Sequence, residues 1–339
     1  MKLEPYQQRS LMSEHSKTPP VLFLIFNRPD LTQRVFERIR QARPRQLFIA
    51  ADGPRVGNLN DEQLCAETRS IVEQVDWPCE IHTLFRDENL GCKRAVSSAI
   101  DWFFEQVEAG IILEDDCVAL PSFFRFCHEL LIHYQSEERV MMIGGSNAQL
   151  GKKRNSDSYY FSVFGSVWGW ATWRRAWQHN DSDIKTWPEV RETDWVKKFM
   201  LTREGTAKIT RKFDAIYNDE LSSWGYGWLY SIWRQNGVCV VPNCNLVTNI
   251  GFDERGTHTK QKSTFANLKA HEITFPLQHP SKIVRNRQAD LFIVNHLYLG
   301  YPLPADVGWL KYLYARIQKK VPWRVRRRLD PLFNFHAPK

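Results

Sequence analysis

Three consecutive carboxylates, Glu114, Asp115 and Asp116, follow directly on the apolar residues 111–113. An apolar run of this kind predicts a buried strand, so the charged cluster lies at the end of that strand. Grouped carboxylates repel one another and raise at least one pKa unless a cation neutralises them. Mg²⁺ and Mn²⁺ prefer oxygen ligands and often take only one or two of them from protein carboxylates. The triplet therefore predicts a divalent metal site, with a solvated acidic loop as the alternative.

The elements that must position this cluster lie in residues 20–150. Short apolar runs alternate there with stretches of helical spacing, which is typical of an α/β fold with a mainly parallel sheet and helices on both faces. Polar segments follow the first four predicted strands, and they read NRPD, ADGP, RDENLG and EDD. Because ligands of such sheets bind at the carboxyl ends of the strands, we expect these segments to meet at one edge.

The same loops lack two common nucleotide-binding signatures. The first predicted strand, residues 21–26, is not followed by G-x-G-x-x-G, and the chain contains no G-x-x-x-x-G-K-[ST] motif. Dinucleotide-binding and P-loop functions therefore lose their main support. The segment IGGSN follows a later strand, and we interpret its two glycines as a turn.

Five segments together resemble a known family. They are LEDDCVALPSFFRF, RDENLGCKRAVSSAI, VWGWATWRRAW, SSWGYGWLYSIWRQNG and NIGFDERGTHT. Their order is similar to that in bacterial GT-A glycosyltransferases related to the family-two enzymes, and the first is also similar to the N-acetylglucosaminyltransferase I type. The resemblance covers roughly residues 20–260. It implies a Rossmann-like GT-A fold and transfer of a sugar from a UDP-linked donor with Mn²⁺ or Mg²⁺.

The resemblance also implies roles for the acidic triplet and the first two loops. Asp116 would bridge the metal to the diphosphate, Asp115 would face the metal or the ribose, and Glu114 would face the sugar. The nucleotide would contact Asn27, Arg28 and Asp52. These residue types suit the task, because Arg forms bidentate bonds with phosphate and a carboxylate accepts from ribose hydroxyls or an imide N–H.

The segment RDENLGCKRAV lies at a predicted strand-to-helix junction. A glycine there lets the backbone approach a ligand closely, and a helix N-terminus favours anions. The residues expected to contact the donor are Arg86, Asn89, Gly91 and Lys93. The alternative is an ordinary capped helix with basic residues on its solvent side.

An inverting transfer also requires a base that takes the proton of the acceptor hydroxyl. Relatives of this kind carry an Asp in or just before the Trp-rich segment, but here residues 222–226 read SSWGY. Asp219 and Glu220 precede this stretch and are the first candidates, with an exposed acidic turn as the alternative; Asp253 and Glu254 come next. The resemblance further implies that His258 lies near the metal or the diphosphate, although a loop His is also commonly solvated.

The segment VWGWATWRRAW concentrates aromatic side chains. A flat indole can stack on the apolar face of a sugar ring, so Trp168, Gly169 and Trp170 are expected to line the donor-sugar or acceptor pocket. Trp173 and Trp177 follow at helical spacing, which is more typical of core residues.

Composition excludes several other classes. The 339 residues are 43% hydrophobic and 25% charged, as in soluble globular proteins. The seven cysteines are scattered without Cys-x-x-Cys or Cys/His metal spacing, so a disulfide framework and a zinc site are disfavoured and a reducing cytoplasm is expected. The N-terminal residues contain no apolar signal region, and the run VLFLIF is too short to span a bilayer.

The net charge of +8 is concentrated in the C-terminal residues. Residues 309–339 contain nine basic side chains and one acidic one, so the first 308 residues are neutral overall. Apolar residues recur there at helical spacing among the cations, which indicates an amphipathic segment at an anionic membrane. Phosphate-mediated binding to nucleic acid is the rival interpretation, and a packed helix with a solvated basic face is the simplest one.

These observations predict four segments and one leading function. The segments are a flexible N-terminus (1–18), a nucleotide-sugar half (19–150), an acceptor and catalytic half (151–262) and a basic helical tail (263–339). The expected function is metal-dependent, inverting transfer of a sugar from a nucleotide-diphosphate donor to a glycan or lipid-linked acceptor of bacterial surface polysaccharide, at the cytoplasmic face of the membrane and without nucleic acid. The alternatives are a sugar nucleotidyltransferase and a non-catalytic sugar- or membrane-binding module.

Overall fold

The structure is a computed structural model that describes residues 18–252 and 265–303, with positions 313, 314, 317 and 325. The strands of these residues are β1 (Val21–Ile25), β2 (Gln46–Ala51), β3 (Glu80–Phe85), β4 (Ala109–Glu114), β5 (Cys117–Ala119), β6 (Val140–Gly144), β7 (Tyr159–Ser162), β8 (Trp170–Trp173), β9 (Val238–Pro242) and β10 (Val247–Asn249).

The helices of the same residues are α1 (Pro29–Ala42), α2 (Leu59–Arg69), α3 (Gly91–Gln106), α4 (Pro121–His133), α5 (Arg174–Trp177), α6 (Trp187–Arg191), α7 (Lys197–Met200), α8 (Arg203–Tyr217), α9 (Trp224–Arg234) and α10 (Arg287–Phe292). A 3-10 turn covers Ser70–Gln74 and a π-helical turn covers Ile293–Tyr298.

Eight strands form one mixed sheet in the order β3-β2-β1-β4-β8-β6-β9-β7. The strands β3, β2, β1 and β4 run parallel to one another. Strand β8 runs antiparallel to both β4 and β6, and β7 runs antiparallel to β9. The predicted α/β fold with a mainly parallel, Rossmann-like sheet is confirmed, and the loops after β1 to β4 leave the sheet at the same edge.

Helices cover both faces of the sheet, because the parallel strands are apolar on both sides. In β1, Phe23 belongs to the core cluster that includes Phe36 of α1, whereas Leu22 belongs to the cluster that includes Phe103 of α3. All four side chains are fully buried. Burial of each such side chain stabilises the fold by about 1.5–3 kcal/mol.

Two further connections hold distant parts of the chain together. Strands β5 and β10 form a separate antiparallel ribbon, which pairs Cys117 with Asn249. Helix α10 is fixed to β7 by the buried Asp290, which accepts a hydrogen bond of 2.5 Å from the Ser162 hydroxyl and pairs with Arg285 at 2.7 Å. The ribbon brings residues after β10 to the end of β4, where the acidic triplet lies.

The predicted halves 19–150 and 151–262 both contribute strands to the one sheet, so the boundary between them stays a prediction. In the predicted tail 263–339, Arg285 and Asp290 contact β7, whereas residues 1–17 and all but four of the positions from 304 to 339 lie outside the described part of the chain. Within the residues described, no helix combines the length and the hydropathy required to cross a membrane.

Candidate active site

The acidic triplet lies at the end of β4, and Arg28 joins it from the loop after β1. The Nε and Nη2 atoms of Arg28 donate to both carboxylate oxygens of Asp115, and Nη2 also donates to Asp116 Oδ2 at 3.1 Å. Asp115 is 4% exposed and Asp116 is 9% exposed, so the ion pairs are largely shielded from water. One guanidinium faces three carboxylates, which leaves the site with an excess of negative charge.

That excess changes the proton affinity of Glu114 and Asp115. Burial, followed by the charges of Asp116 and Asp115, raises the pKa of Glu114 to about 8, against the opposing charge of Arg28. Burial also raises the pKa of Asp115 to about 6, against the opposing charge of Arg28. Carboxylates whose pKa is raised by burial and by like charges are typical of functional sites, because a substrate or a cation supplies the missing positive charge.

A turn after β10 closes over the triplet from the opposite side. The Asn249 side chain donates to Asp116 Oδ1 at 3.1 Å, and the backbone N–H of Ile250 donates to the Asp116 carbonyl at 2.9 Å. A Cβ atom on Gly251 would lie 2.1 Å from Asp116 Oδ2. The turn and the carboxylate are therefore in direct contact, and only glycine fits at this position.

A cavity of about 530 Å³ opens beside the triplet. Its wall includes Arg28, Glu114 and Asp116 at the carboxyl ends of β1 and β4. The remaining residues of its wall are mainly aromatic and apolar. They include residues of the loop before β8, of β7 and β10, of α8 and α9 and of the π-helical turn. A concave, mostly apolar site with a few convergent polar groups is typical of small-molecule binding.

Cys92 also lines this cavity. Burial, followed by the charge of Glu114, raises the pKa of its thiol to about 12. The thiol is therefore protonated at neutral pH, which excludes a thiolate nucleophile at this position.

Asp52 occupies the sheet edge as predicted, but its carboxylate is bound within the protein. Oδ1 accepts from the backbone N–H groups of Gly53 and Leu90 at 3.0 and 2.9 Å. Oδ2 accepts from the Asn89 side chain and from the Gly91 N–H at 3.0 and 3.1 Å. Four donors fill the capacity of a carboxylate. Asp52 is thus the anion at the N-terminus of α3. The geometry of the segment RDENLGCKRAV is that of a capped helix, which was the alternative interpretation.

The other basic and polar residues expected to contact the nucleotide also have partners in the protein. Lys93 Nζ lies 2.7 Å from a carboxylate oxygen of Asp183. Arg86 donates to the Ser98 hydroxyl at 2.8 Å, and the Asn27 amide donates to Asp61 at 2.8 Å. The roles of these residues in donor binding remain predictions. Each side chain would have to leave its present partner in the protein to contact the donor.

The tryptophan segment divides between the cavity and the core. Trp168 lines the cavity and packs edge-to-face on Phe252, with 5.5 Å between the ring centroids. Trp170 is fully buried and packs against Trp224 and Trp228, so its predicted place in the pocket wall is wrong. Residues two apart share a face of a regular strand, but β8 begins only at Trp170 and Gly169 before it has a left-handed φ of +67°, so the two indoles do not share a face.

Gly169 does not line the cavity either, and its role is conformational. It has a φ of +67°, and a Cβ atom there would lie 2.8 Å from the Val247 side chain. Its carbonyl accepts a hydrogen bond of 2.8 Å from the N–H of Gly145, in the IGGSN loop after β6. The predicted core positions Trp173 and Trp177 are buried, at 4% and 3% exposure, and confirm that part of the interpretation.

Asp219 and Glu220, the first candidates for the base, do not line the cavity and are exposed. They form the C-terminal cap of α8: the N–H of Glu220 donates to the Ala215 carbonyl at 2.7 Å, and the N–H of Asp219 donates to the Ile216 carbonyl at 3.1 Å. This is a Schellman motif with Asp219 in the left-handed region at φ +58°. The exposed acidic turn is therefore the correct interpretation of these residues.

The neighbouring stretch is nevertheless at the cavity. Ser223, Gly225 and Tyr226, at the positions where the family resemblance predicts an Asp, all line it. Among the described residues, the carboxylates in the cavity wall are Glu114 and Asp116. The predicted alternatives Asp253, Glu254 and His258 lie outside the described residues.

The chemistry of the triplet fits a divalent cation that is held by few protein ligands. No group of three or more His, Cys, Asp and Glu side chains in the described ranges is arranged to hold a metal ion by itself. Asp116 presents carboxylate oxygens to the cavity, and the net negative charge around it favours a cation. Mg²⁺ and Mn²⁺ commonly combine one such carboxylate with oxygens of phosphate and water.

Several residues that the structure brings to the site have no role that the sequence predicts. Asn249 and Gly251 reach Asp116 through the β5–β10 ribbon, and Ser146 and Lys212 line the cavity. Asn249 and Gly251 lie in the segment NIGFDERGTHT, which is part of the family resemblance, so the resemblance was the signal that could have found them. Nothing in the local pattern around Lys212 distinguishes it from a surface lysine.

No protein-family model and no curated protein sequence matches this chain. Solved structures that are similar to part of it include the following two. HddC from Yersinia pseudotuberculosis is 10% identical, with a TM-score of 0.29 over 46% of this chain and 77% of HddC. UDP-glucose pyrophosphorylase complexed with UDP-glucose is 15% identical, with a TM-score of 0.25 over 44% of this chain and 63% of that enzyme. Likenesses this weak carry no inference about function.

Proposed function

We propose that this chain is a metal-dependent glycosyltransferase that takes a sugar from a UDP-linked donor and transfers it to a glycan or lipid-linked acceptor. The observation that supports this most is the single cavity that Arg28, Glu114 and Asp116 share with Trp168 and the aromatic residues of α9. Charged groups suited to a diphosphate and flat rings suited to sugars border the same space.

Arg28 would bind the donor diphosphate. Its Nε and Nη2 are held by Asp115 and Asp116, which fix the guanidinium in place. Its Nη1 has no hydrogen-bond acceptor among the described residues and is available to a phosphate oxygen. Asp116 would hold the divalent cation with the oxygens of the diphosphate. When bound, that cation would stabilise the negative charge that develops on the leaving group.

Glu114 is the candidate base. It lines the cavity, and its carboxylate makes no hydrogen bond to the described residues, whereas Asp116 accepts from Arg28 and Asn249. The charges of Asp116 and Asp115 contribute to the raised pKa of Glu114, and a bound divalent cation would offset them. The ionised carboxylate could then accept the proton of an acceptor hydroxyl as that oxygen attacks the sugar. In an inverting transfer the attack comes from the face opposite the diphosphate.

The test is release of UDP from a panel of UDP-sugars with and without Mn²⁺. We expect Mn²⁺-dependent release, and we expect Glu114→Gln to lower kcat by about 10²- to 10⁴-fold, as for loss of a general base, with little change in UDP affinity. Glu138→Gln, at an exposed surface position, is the matched control.

Two results would contradict the proposal. Release of pyrophosphate from UTP and a sugar 1-phosphate, without release of UDP from UDP-sugars, would identify a nucleotidyltransferase. Absence of turnover with every donor, together with sugar binding, would identify a binding module. Full turnover by Glu114→Gln would remove Glu114 as the base while leaving the transferase function standing.

A further inference from the structure

Lys212 of α8 lines the same cavity as the acidic triplet and is half-buried. Its Nζ lies 4.7 Å from the centroid of the Tyr226 ring, which is a cation–π contact. No carboxylate of the described residues lies within ion-pair distance of it. The other cation in the described cavity wall, Arg28, is paired with Asp115 and Asp116.

An ammonium group in such a place is unfavourable without a ligand. Burial lowers the pKa of Lys212, and no opposing charge raises it again. A half-buried ammonium whose contact is an aromatic ring still loses hydration, and a charge-assisted hydrogen bond to an anion offsets that cost. The neighbouring Arg211 is exposed on the same helix, so solubility does not require a lysine that faces the cavity.

The walls next to Lys212 are suited to a sugar. Tyr226 and Tyr298 line the cavity together with Trp168 and Trp224. The Tyr298 ring belongs to the π-helical turn and packs on Phe164, with 5.4 Å between the centroids. Gly225 faces the cavity, and a Cβ atom there would have its nearest neighbour at 3.9 Å, which leaves open space for a ring.

We propose that Lys212 and these aromatic residues form an acceptor subsite that selects a negatively charged sugar, bearing either a carboxylate, as in a uronic acid, or a phosphate. The inference rests on the proposed function, which assigns Arg28 and the acidic triplet to the donor diphosphate. Lys212 lies on α8 and contacts none of these donor-binding groups directly. Its charge is therefore available to the second substrate.

Binding of acceptor probes without donor tests the subsite separately from transfer. Tryptophan fluorescence should be titrated with methyl glucuronide and methyl galacturonide, each beside its neutral methyl hexoside, and with glucose 1-phosphate. We expect at least one charged probe to bind about 10-fold or more tighter than its neutral match, as for a charge-assisted hydrogen bond. Preference for the uronides or for the phosphate identifies which anion the subsite takes.

The variants are Lys212→Met, which keeps the aliphatic stem, Lys212→Gln, which keeps a polar end, and Lys212→Arg, which keeps the charge. We expect the first two to abolish the preference for charged probes and Lys212→Arg to retain it. Arg211→Met removes the same charge from the same helix and should have no effect. In turnover, loss of Lys212 should raise the acceptor KM.

The proposal is overturned if no charged probe binds better than its neutral match to the wild type. It is also overturned if the preference survives in Lys212→Met and Lys212→Gln. Failure of the proposed transferase function would show instead as absence of Mn²⁺-dependent UDP release, while charged probes still bind in the fluorescence titration.

Discussion

Gly251→Ala is a direct perturbation of the closure over Asp116. The new Cβ atom would lie 2.1 Å from Asp116 Oδ2 and 2.8 Å from Cγ, whereas ordinary contacts begin at 3.4 Å. The carboxylate must therefore move by about 1 Å or more, since the backbone on the other side is held by Asn249 at 2.9 Å. That movement breaks the 3.1 Å hydrogen bonds of Asp116 with Arg28 and Asn249.

A displacement of about 1 Å at a site of this kind lowers function by about 10²-fold, which corresponds to about 2.7 kcal/mol. We expect Gly251→Ala to weaken Mn²⁺-dependent UDP binding by that factor in titration calorimetry. Overpacking should also lower the free energy of unfolding by about 1–3 kcal/mol. The matched control is Gly144→Ala, whose Cβ atom would meet nothing closer than 3.5 Å.

Folded Gly251→Ala protein that binds UDP with the wild-type affinity would refute this reasoning. It would mean that the position of the Asp116 carboxylate does not matter for the donor. Equal loss in Gly144→Ala would also count against it, because that variant leaves Asp116 in place.

Two further predictions concern residues that the structure assigns to stability. Asp219→Gly should retain full turnover and raise the free energy of unfolding by about 0.5–1 kcal/mol, because glycine adopts the left-handed conformation of the α8 cap without strain; loss of kcat in this variant would restore Asp219 as a catalytic group. Hydrogen bonds from Arg55 at 2.5 and 2.8 Å hold the pKa of Asp61 at about 2, below its usual 3.8. The stabilisation is therefore fully present above pH 4 and is lost as the pH falls toward 2. Since Arg55 is 53% exposed, we expect only about 1 kcal/mol from this pair. In chemical denaturation, Asp61→Asn should remove that part of the acid destabilisation; an unchanged pH profile would contradict the assignment.

The architecture was predictable because its signals are local. Phe23 and Leu22 lie in a continuous apolar run, and such runs predict strands that are buried on both faces. The carboxyl ends of parallel strands share one edge, so the meeting of Arg28 with Asp115 and Asp116 follows from the order of strands and polar loops.

The partners of individual side chains were not predictable in the same way. Asn249 lies 133 residues after Asp116, and only the β5–β10 pairing brings them together. Asp52 follows a predicted strand, where a carboxylate commonly binds a ligand. In the structure its carboxylate accepts hydrogen bonds from four donors of the protein itself. Asp219 occupies the position after α8 where glycine is usual, in the left-handed conformation. Its carboxylate predicts a catalytic base, but its backbone forms the C-terminal cap of the helix.

The central claim is that Asp116 binds a divalent cation through which the diphosphate is held. Titration calorimetry of UDP with and without Mn²⁺, on the wild type and on Asp116→Asn, tests it most directly, with Asp76→Asn as a control at an exposed ion pair. We predict that Mn²⁺ increases the UDP affinity of the wild type and of Asp76→Asn by about 10-fold or more, as expected for one metal–ligand contact. The UDP affinity of Asp116→Asn should be the same with and without Mn²⁺. An equal gain from Mn²⁺ in Asp116→Asn would contradict the claim.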